Sequence, residues 1–561
     1  MSVRRMRAAL ALLVTAVLAL TACAGLPSSG PVQQGLGPDS SSGTPDFSFL
    51  PDRPQPGASP EEIVEGFIRA GSGPGALGRW ERAREFLAPD FAEVWRPEAG
   101  VTVDTPGDRV YSEGDDGDVT VSVVAVATVD DKGSYQRAEA GPTDLPFALE
   151  QQDDGEWRIT SAPDGVVLDR DIFPNVFHEY AVVYFDPSWQ YLVPDVRWFP
   201  TANAATRIAD ALVNRSRSVW LEESVSTAFP ETVTLLASVP VSDSGVAEID
   251  LSATALDADS VTLDRMLTQL TASLATAGAS SVELTVASSP IDAQTVTTRS
   301  TRVASLPLVL TDDGFGFLNG DALEEIPGLS ESVMDAAPSA IQVSPDRRYA
   351  AVTVPGGAAA RVGADGTLAV VDERPGVVAP TMDPFGVVWT VPEDAPGAVR
   401  ASQLDGTTVQ LEGAWAEATA ISAMAISRDG TRMAAIVSAA GRDALWVAGV
   451  VRSTDGVPIR LGEPIAIGLV PGSGTAIAWL DESTVAALSA GEEASTVLEQ
   501  VIGGPSSVTA AAQGMRSLAG GATVSVIRVH DGDAVYAKRG TNWEQIATGV
   551  TVLATQQGIP Q

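Results

Sequence analysis

The chain has 561 residues, with 72 acidic against 35 basic side chains and a formal charge of −37. So acidic a chain excludes nucleic acid, anionic lipid and teichoic-type polymers as partners held by bulk electrostatics. With 45% apolar residues and 11 Trp, it carries enough apolar material for several packed cores rather than disorder.

The N-terminus reads as an export signal. Arg4, Arg5 and Arg7 precede an apolar run, 8–20, that is too short to span a bilayer comfortably. The run ends in Leu20-Thr21-Ala22-Cys23, the lipobox pattern of bacterial lipoproteins. The small residues let the peptide lie extended in a processing peptidase, and the thiol takes a diacylglyceryl group before cleavage. Residues 1–22 are expected to be a lipoprotein signal peptide. Cys23, the single cysteine, is the expected site of S-diacylglyceryl and N-acyl lipidation. Two or more chains, at roughly 0.8 kcal/mol per buried methylene, give stable anchoring to the cell membrane on its extracytoplasmic face. Signal removal takes Lys+Arg from 35 to 32 against 72 acids, a formal charge of −40. No cysteine then remains for disulfides, so the expected three domains must be held by packing alone.

Residues 23–58 are rich in Gly, Pro and Ser, lack apolar periodicity, and predict a flexible tether, with Phe47, Phe49 and Leu50 as first candidates to pack. In residues 59–171, Ser59 is a predicted N-cap, Pro60 suits the first helical position and Glu62 completes a capping box. Ile63, Val64, Phe67 and Ile68 form the helical stripe. A second helix is expected to carry Trp80, Ala83, Phe86 and Leu87 and to stop near Pro89. Strands follow at 119–129 and 145–149, with a hairpin end at 155–159. Helices followed by a curved antiparallel sheet make an α+β cone, architecturally similar to the nuclear-transport-factor-like domains.

Residues 172–300 predict a compact α/β domain. Strands are expected at 181–185, 191–194, 232–237, 245–251 and 281–287, and helices at 204–215 and 260–277. Its polar end, Ser288 to Arg302, is the expected weak point before the next domain. Residues 301–561 contain no convincing long helix but a loose repeat. Residues 341–352 are echoed by 424–436 and 381–389, with degenerate copies at 477–481 and 528–532. The repeat aspartates, at 346, 383, 429, 481 and 531, step by 37, 46, 52 and 50. Each copy reads strand, tight turn, strand, which at that period predicts an all-β propeller of five or six blades.

Chemistry-bearing motifs are sparse. The two histidines, His178 and His530, fall in different predicted domains, where a polar packing role outweighs catalysis. Gly73-Pro74-Gly75-Ala76-Leu77-Gly78 has the spacing of a dinucleotide loop but follows a helix and carries proline, so it reads as a helix–helix loop. Residues 113–118 hold acids without the ligand order of a calcium loop, and read as a solvated hairpin tip. Asp169 and Asp171 could be drawn as a glycosidase pair, but among 72 acids such pairs arise by chance. No catalytic residue, cofactor or metal is assigned, and the chain is expected not to be an enzyme.

Val183-Tyr184-Phe185-Asp186-Pro187, Leu192-Val193-Pro194-Asp195-Val196-Arg197 and Thr227-Ala228-Phe229-Pro230 resemble the GerMN domain. A GerMN domain ahead of a degenerate propeller, all behind a lipobox, resembles the actinobacterial LpqB lipoprotein family, as does the start Cys23-Ala24-Gly25-Leu26-Pro27. That resemblance implies a partner, the extracytoplasmic part of the sensor kinase MtrB in the MtrA–MtrB two-component system, and a role in envelope homeostasis and cell division. Binding of a cell-wall glycan is the alternative, with Trp189, Trp198 and Trp220 as possible stacking platforms. An acid-only enzyme is the third.

Overall fold

The computed structural model describes residues 51–561, apart from 76–77, 115–116, 139–140 and 492. The signal, Cys23 and most of the tether lie outside the described residues.

The first domain begins earlier than residue 59. Ala58 is buried in its core, and the Gly57 amide donates to Glu156 at 2.9 Å. Helix α1 (Pro60–Ala70) starts in the expected capping box: Ser59 Oγ accepts the Glu62 amide and Glu62 Oε2 accepts the Ser59 amide at 2.8 Å. These bonds satisfy two donors that a helix start leaves open. The second helix, α2 (Glu81–Arg84), is a single turn, and Pro89 opens rather than ends a helix, α3 (Pro89–Val94). Proline lacks the amide hydrogen that a first helical residue does not need, so it suits the start better than the stop.

The helices cover a sheet of β1 (Gly100–Asp104), β2 (Val110–Glu113), β3 (Val119–Asp130), β4 (Tyr135–Arg137), β5 (Pro142–Gln151), β6 (Trp157–Ser161) and β7 (Val166–Asp169). Its main order is β6-β5-β3-β1-β7, antiparallel except for β1 with β7. Val119, Val121 and Val123 alternate inward along β3 and are fully buried, the period-two signature of a strand with one face on a core.

The second domain follows a short turn, α4 (Phe173–Val176). The strands β8 (His178–Phe185) and β9 (Leu192–Phe199) form a hairpin whose tip is closed by Asp186, accepting the Gln190 and Tyr191 amides. After α5 (Ala204–Val213), strand β10 (Val246–Asp250) runs parallel to β11 (Ser281–Val286), joined by α6 (Ser260–Ala275), with β12 (Ser289–Pro290) at the edge. The strand expected at 232–237 is absent: Leu235 makes one bridge to Leu251, and its neighbours bond irregularly to Asp250 and Ser252. Serine and threonine side chains there take up the backbone bonds that a ladder needs.

The third domain is a propeller of six blades. The inner strands Val550–Gln556, Ala340–Val343, Thr381–Met382, Ala420–Ile426, Ser473–Trp479 and Ser517–Gly520 neighbour one another in a closed ring. The last strand, Val550–Gln556, pairs antiparallel with the first, Leu308–Thr311, so one blade is assembled from both ends of the domain. Closure of this kind removes exposed edges along the ring. One short helix, α7 (Leu329–Ala336), packs against the first two blades. Four of the five repeat aspartates sit between the first and second strands of a blade. Asp531 sits between the second and third, Ile527–His530 and Val535–Arg539, so the copy at 528–532 is out of phase by one strand. Both turns use Asp to accept amides two and three residues on, which makes them alike in sequence.

Residues 291–307 have no regular structure yet are strapped down. Gln294 and Val296 donate to side chains of α6, Arg299 to the Gln190 carbonyl, and Ala304 to Gln556. Thr301 Oγ1 donates to Glu482 at 2.6 Å, and Ser300 exchanges two bonds with Gln561. The expected weak point is therefore tied to both domains it joins.

Candidate functional site

The interiors that could take a ligand are nearly full. The hollow of the cone, between Phe67, Trp95, Phe147 and Val166, leaves about 30 Å³. The propeller axis leaves about 20 Å³, space for about one water molecule. Gln557 closes it, its amide donating to Val343 O and its side chain to Ile426 O. Arg428 lines the same space and donates to Trp479 O; burial pushes its pKa down against the opposing carboxylates of Glu482 and Asp481.

Buried charge gathers where the domains meet, and β9 is the strand that joins them. Toward the first domain, Trp198 N–H donates to Gly133 O at 2.9 Å, and the Arg197 guanidinium reaches Ser134 Oγ. Toward the propeller, Trp198 Nε1 donates to Gly503 O at 2.8 Å, and Arg432 donates to Pro194 O at 3.3 Å. Both arginines are 1% exposed and each has its own carboxylate: Asp195 at 2.6 Å for Arg197, Asp429 at 2.5 Å for Arg432. Burial disfavours the charged Asp429, but Arg432 and bonds from Thr431 and Ser427 outweigh it and hold the carboxyl below its usual range. Burial likewise opposes the charged Arg197, and Asp195 overrides it, raising the guanidinium. An exposed pair, Arg460 with Glu223, adds a contact between propeller and second domain. The sequence marks Asp195, Arg197, Trp198 and Asp429 for other reasons, but not as joint residues, and Arg432 only as part of a repeat copy. The available signal was an arginine inside an apolar strand, as in Val196-Arg197-Trp198 and Arg432-Met433-Ala434.

Beside this joint is a cleft of about 420 Å³, walled by β8, the end of α6, residues 298–302 and the propeller turn at Glu482-Ser483. Desolvation, and Asp481 across the gap, push the Glu179 carboxyl up. An open groove of about 650 Å³ lies on the propeller rim between Arg442, Asp443 and Leu469.

The singled-out residues fall as follows. His178 pairs with Phe199 in the β8–β9 ladder, and His530 is buried in the last blade with Nε2 2.8 Å from Val550 O and Nδ1 3.5 Å from Ser517 Oγ; the structure does not bring the two into one constellation. Gly73 to Gly75 follow α1 directly and precede α2, as a helix–helix loop. In the 113–118 tip, the Gly114 amide bonds Asp118 O, while Asp115 and Asp116 lie outside the described residues. Asp169 Oδ1 accepts the Asp171 amide, a turn rather than a facing pair of acids. Trp198 is buried, Trp189 lies under the Arg265 guanidinium at 4.0 Å, and Trp220 packs against two cores, so packing engages all three sugar-platform candidates. Among the described residues no group of three or more His, Cys, Asp and Glu could hold a metal, and no helix is long and apolar enough to cross a membrane.

These features define a three-domain propeller protein whose domains are fastened around one strand by hydrogen bonds from Trp198 and from two buried, ion-paired arginines. Residues 53–174 match the family model of the LpqB lipoprotein N-terminal domain, and 311–554 that of the LpqB lipoprotein beta-propeller domain. Between them, residues 182–292 match the sporulation and spore germination model, Germane. The chain belongs to the LpqB lipoprotein family. It is similar to lipoprotein LpqB of Thermobifida fusca, 32% identical over 285 residues, covering 47% of this chain and 44% of that one. It is also similar to those of Cutibacterium acnes, 30% identical over 44% of this chain and 41% of the relative, and Bifidobacterium longum, 31% identical over 45% of each. The matches thus span less than half the length of these relatives. Among solved structures, a chain of a nidogen/laminin complex aligns at TM-score 0.33 and 10% identity, over 45% of this chain and 97% of that one.

Proposed function

We propose that this chain is a lipid-anchored lipoprotein on the extracytoplasmic face of the cell membrane. It binds the exterior part of the sensor kinase MtrB and modulates MtrA–MtrB signalling, without catalysing a reaction itself. The observation that carries this reading is the filled interior. The cone and the propeller axis hold about 30 and 20 Å³, and the larger spaces, about 420 and 650 Å³, are open clefts, so recognition falls to the outer surface. A body braced by buried ion pairs presents that surface with little loss of entropy on binding. Anchoring through Cys23 confines both partners to one membrane, which raises their effective concentration and lets a weak contact suffice. A formal charge of −40 after signal removal (32 basic against 72 acidic side chains) steers a basic partner surface and makes the encounter weaken with salt. The test is binding between the full lipidated chain and the exterior domain of the kinase, both tethered to one bilayer. Binding that survives His178→Ala with His530→Ala is expected. No binding in that format defeats the reading.

A further inference from the structure

The outermost strand of each blade has one side of its backbone unpaired, and proteins blunt such edges with charge, proline or bulges. Among the described residues, four of the seven edge strands follow that rule, the fourth blade having two. Ala322–Glu325 carries Glu324 and Glu325, Thr408–Gln410 is three residues long, Pro458–Leu461 starts with proline, and Asn542–Ala547 carries Glu544. Ser506–Ala511 is mostly Ser, Thr and Ala, with one large apolar residue, Val508. Two edges depart from the pattern: Ile465–Leu469 in the fourth blade, uncharged and with Leu469 41% exposed, and, with two exposed apolar residues, the edge of the second blade. Leu368–Asp372 reads Leu-Ala-Val-Val-Asp, with Leu368 49% and Val370 45% exposed.

The register explains the two faces. Ala369 pairs with Arg361, whose guanidinium is held by the carbonyls of Gln403 and Leu404 in the next blade. Leu368 and Val370 pair with Val362 and Ala360, on the opposite face, where α7 packs against the Ala359–Gly363 strand. Exposed acids rim this edge: Asp365 in the preceding turn, Glu373 just beyond the strand, and Glu331 and Asp335 on α7. Of the nearby arginines, Arg374 and Arg400 are paired with Asp372 and Arg361 faces away, leaving Arg348, among the described residues, as an unpaired exposed cation close to the turn.

We propose that the Leu368–Asp372 edge is a docking strand that accepts an extended segment of a partner protein, in which apolar residues alternate with Lys or Arg. Backbone bonds to the free edge would supply affinity, Leu368 and Val370 the apolar contact, and the acidic rim the selection for a basic strand. A second copy of this chain is a poor occupant, because it would bring an identical acidic rim against the first. This inference rests on the partner reading above and adds the contact surface to it.

The experiment measures affinity of the kinase's exterior domain for the full chain and for Val370→Lys, Leu368→Pro, whose amide faces the free edge, and the control Val508→Lys, with hydrogen exchange on the bound wild type. The exposed positions leave folding intact, which circular dichroism checks. Expected are a loss of roughly tenfold or more for the two edge variants, less than about twofold for the control, and slowed exchange at residues 368–371 on binding. Wild-type binding that both edge variants retain, with no protection at 368–371, overturns the docking strand and leaves the partner reading standing. No wild-type binding overturns both. A dimer of the chain alone, protected at 368–371, overturns the choice of occupant.

Discussion

The turns 344–349 and 427–432 are built alike and do opposite jobs. In each, a serine hydroxyl lies 2.7 Å from an aspartate Oδ1 two residues on and accepts the amide of the sixth residue at 3.0 Å. In each, the aspartate also accepts an amide two residues later, from Arg348 or Thr431, and the fourth residue is left-handed. In the first, Asp346 is exposed and the turn ends in Tyr349. In the second, Asp429 is 1% exposed and the turn ends in Arg432, which holds Pro194 of the neighbouring domain. One local motif thus serves as a surface loop or as an interdomain joint, according to what packs on it.

Replacing Asp429 with Ala should give the largest effect. It leaves Arg432 buried without its counter-charge, and chemical denaturation should show a loss of about 3–5 kcal/mol. Because the joint links two domains, one cooperative transition for both is expected in the wild type, and separate transitions in the variant. A pH titration sharpens the point. The Asp429 carboxyl is held below its unfolded value near 3.9, so its stabilisation is full above about pH 4 and is lost as pH falls through the lower folded value. Asp429→Asn should flatten that part of the acid-unfolding curve.

Gly430→Ala comes next, at about 1–3 kcal/mol. Gly430 has φ +76°, and an added Cβ would lie 3.0 Å from Pro384 Cδ. Asp346→Ala removes the equivalent bonds in an exposed turn, and about 1 kcal/mol should be lost by the same measurement. Arg347→Gly should be smallest, within about 0.5 kcal/mol. Relief of the left-handed strain at φ +58° offsets loss of the guanidinium stacked 4.4 Å from the Phe317 ring. Equal losses for Asp429→Ala and Asp346→Ala would erase the distinction between the two turns.

Much of this architecture was legible in the chain. The capping box at Ser59 and Glu62, the inward valines of β3 and the aspartate turns of the blades rest on neighbours a few residues away, and all appear where local rules put them. Helix α6 does too, because Asp259 caps it and its apolar stripe is long. Where competing local choices were close in energy, packing selected among them. The run around Phe86 and Leu87 leaves the helix to bond Ile159, and residues 232–237 split their backbone bonds between side chains and irregular backbone partners. Nor could spacing alone distinguish a turn between first and second strands from one between second and third, as at Asp531.

The sequence by itself determined the composition of each core, most helix and strand positions and the turn chemistry, because those depend on period and on hydrogen bonds within a few residues. Only the tertiary structure decided that there are six blades, that the last strand closes the first blade, and that Arg197 and Arg432 are buried joints rather than surface charges. Each of these depends on groups that lie tens to hundreds of residues apart, as Arg432 and Pro194 do. A charge next to apolar neighbours reads the same in a sequence whether solvent or another domain covers it.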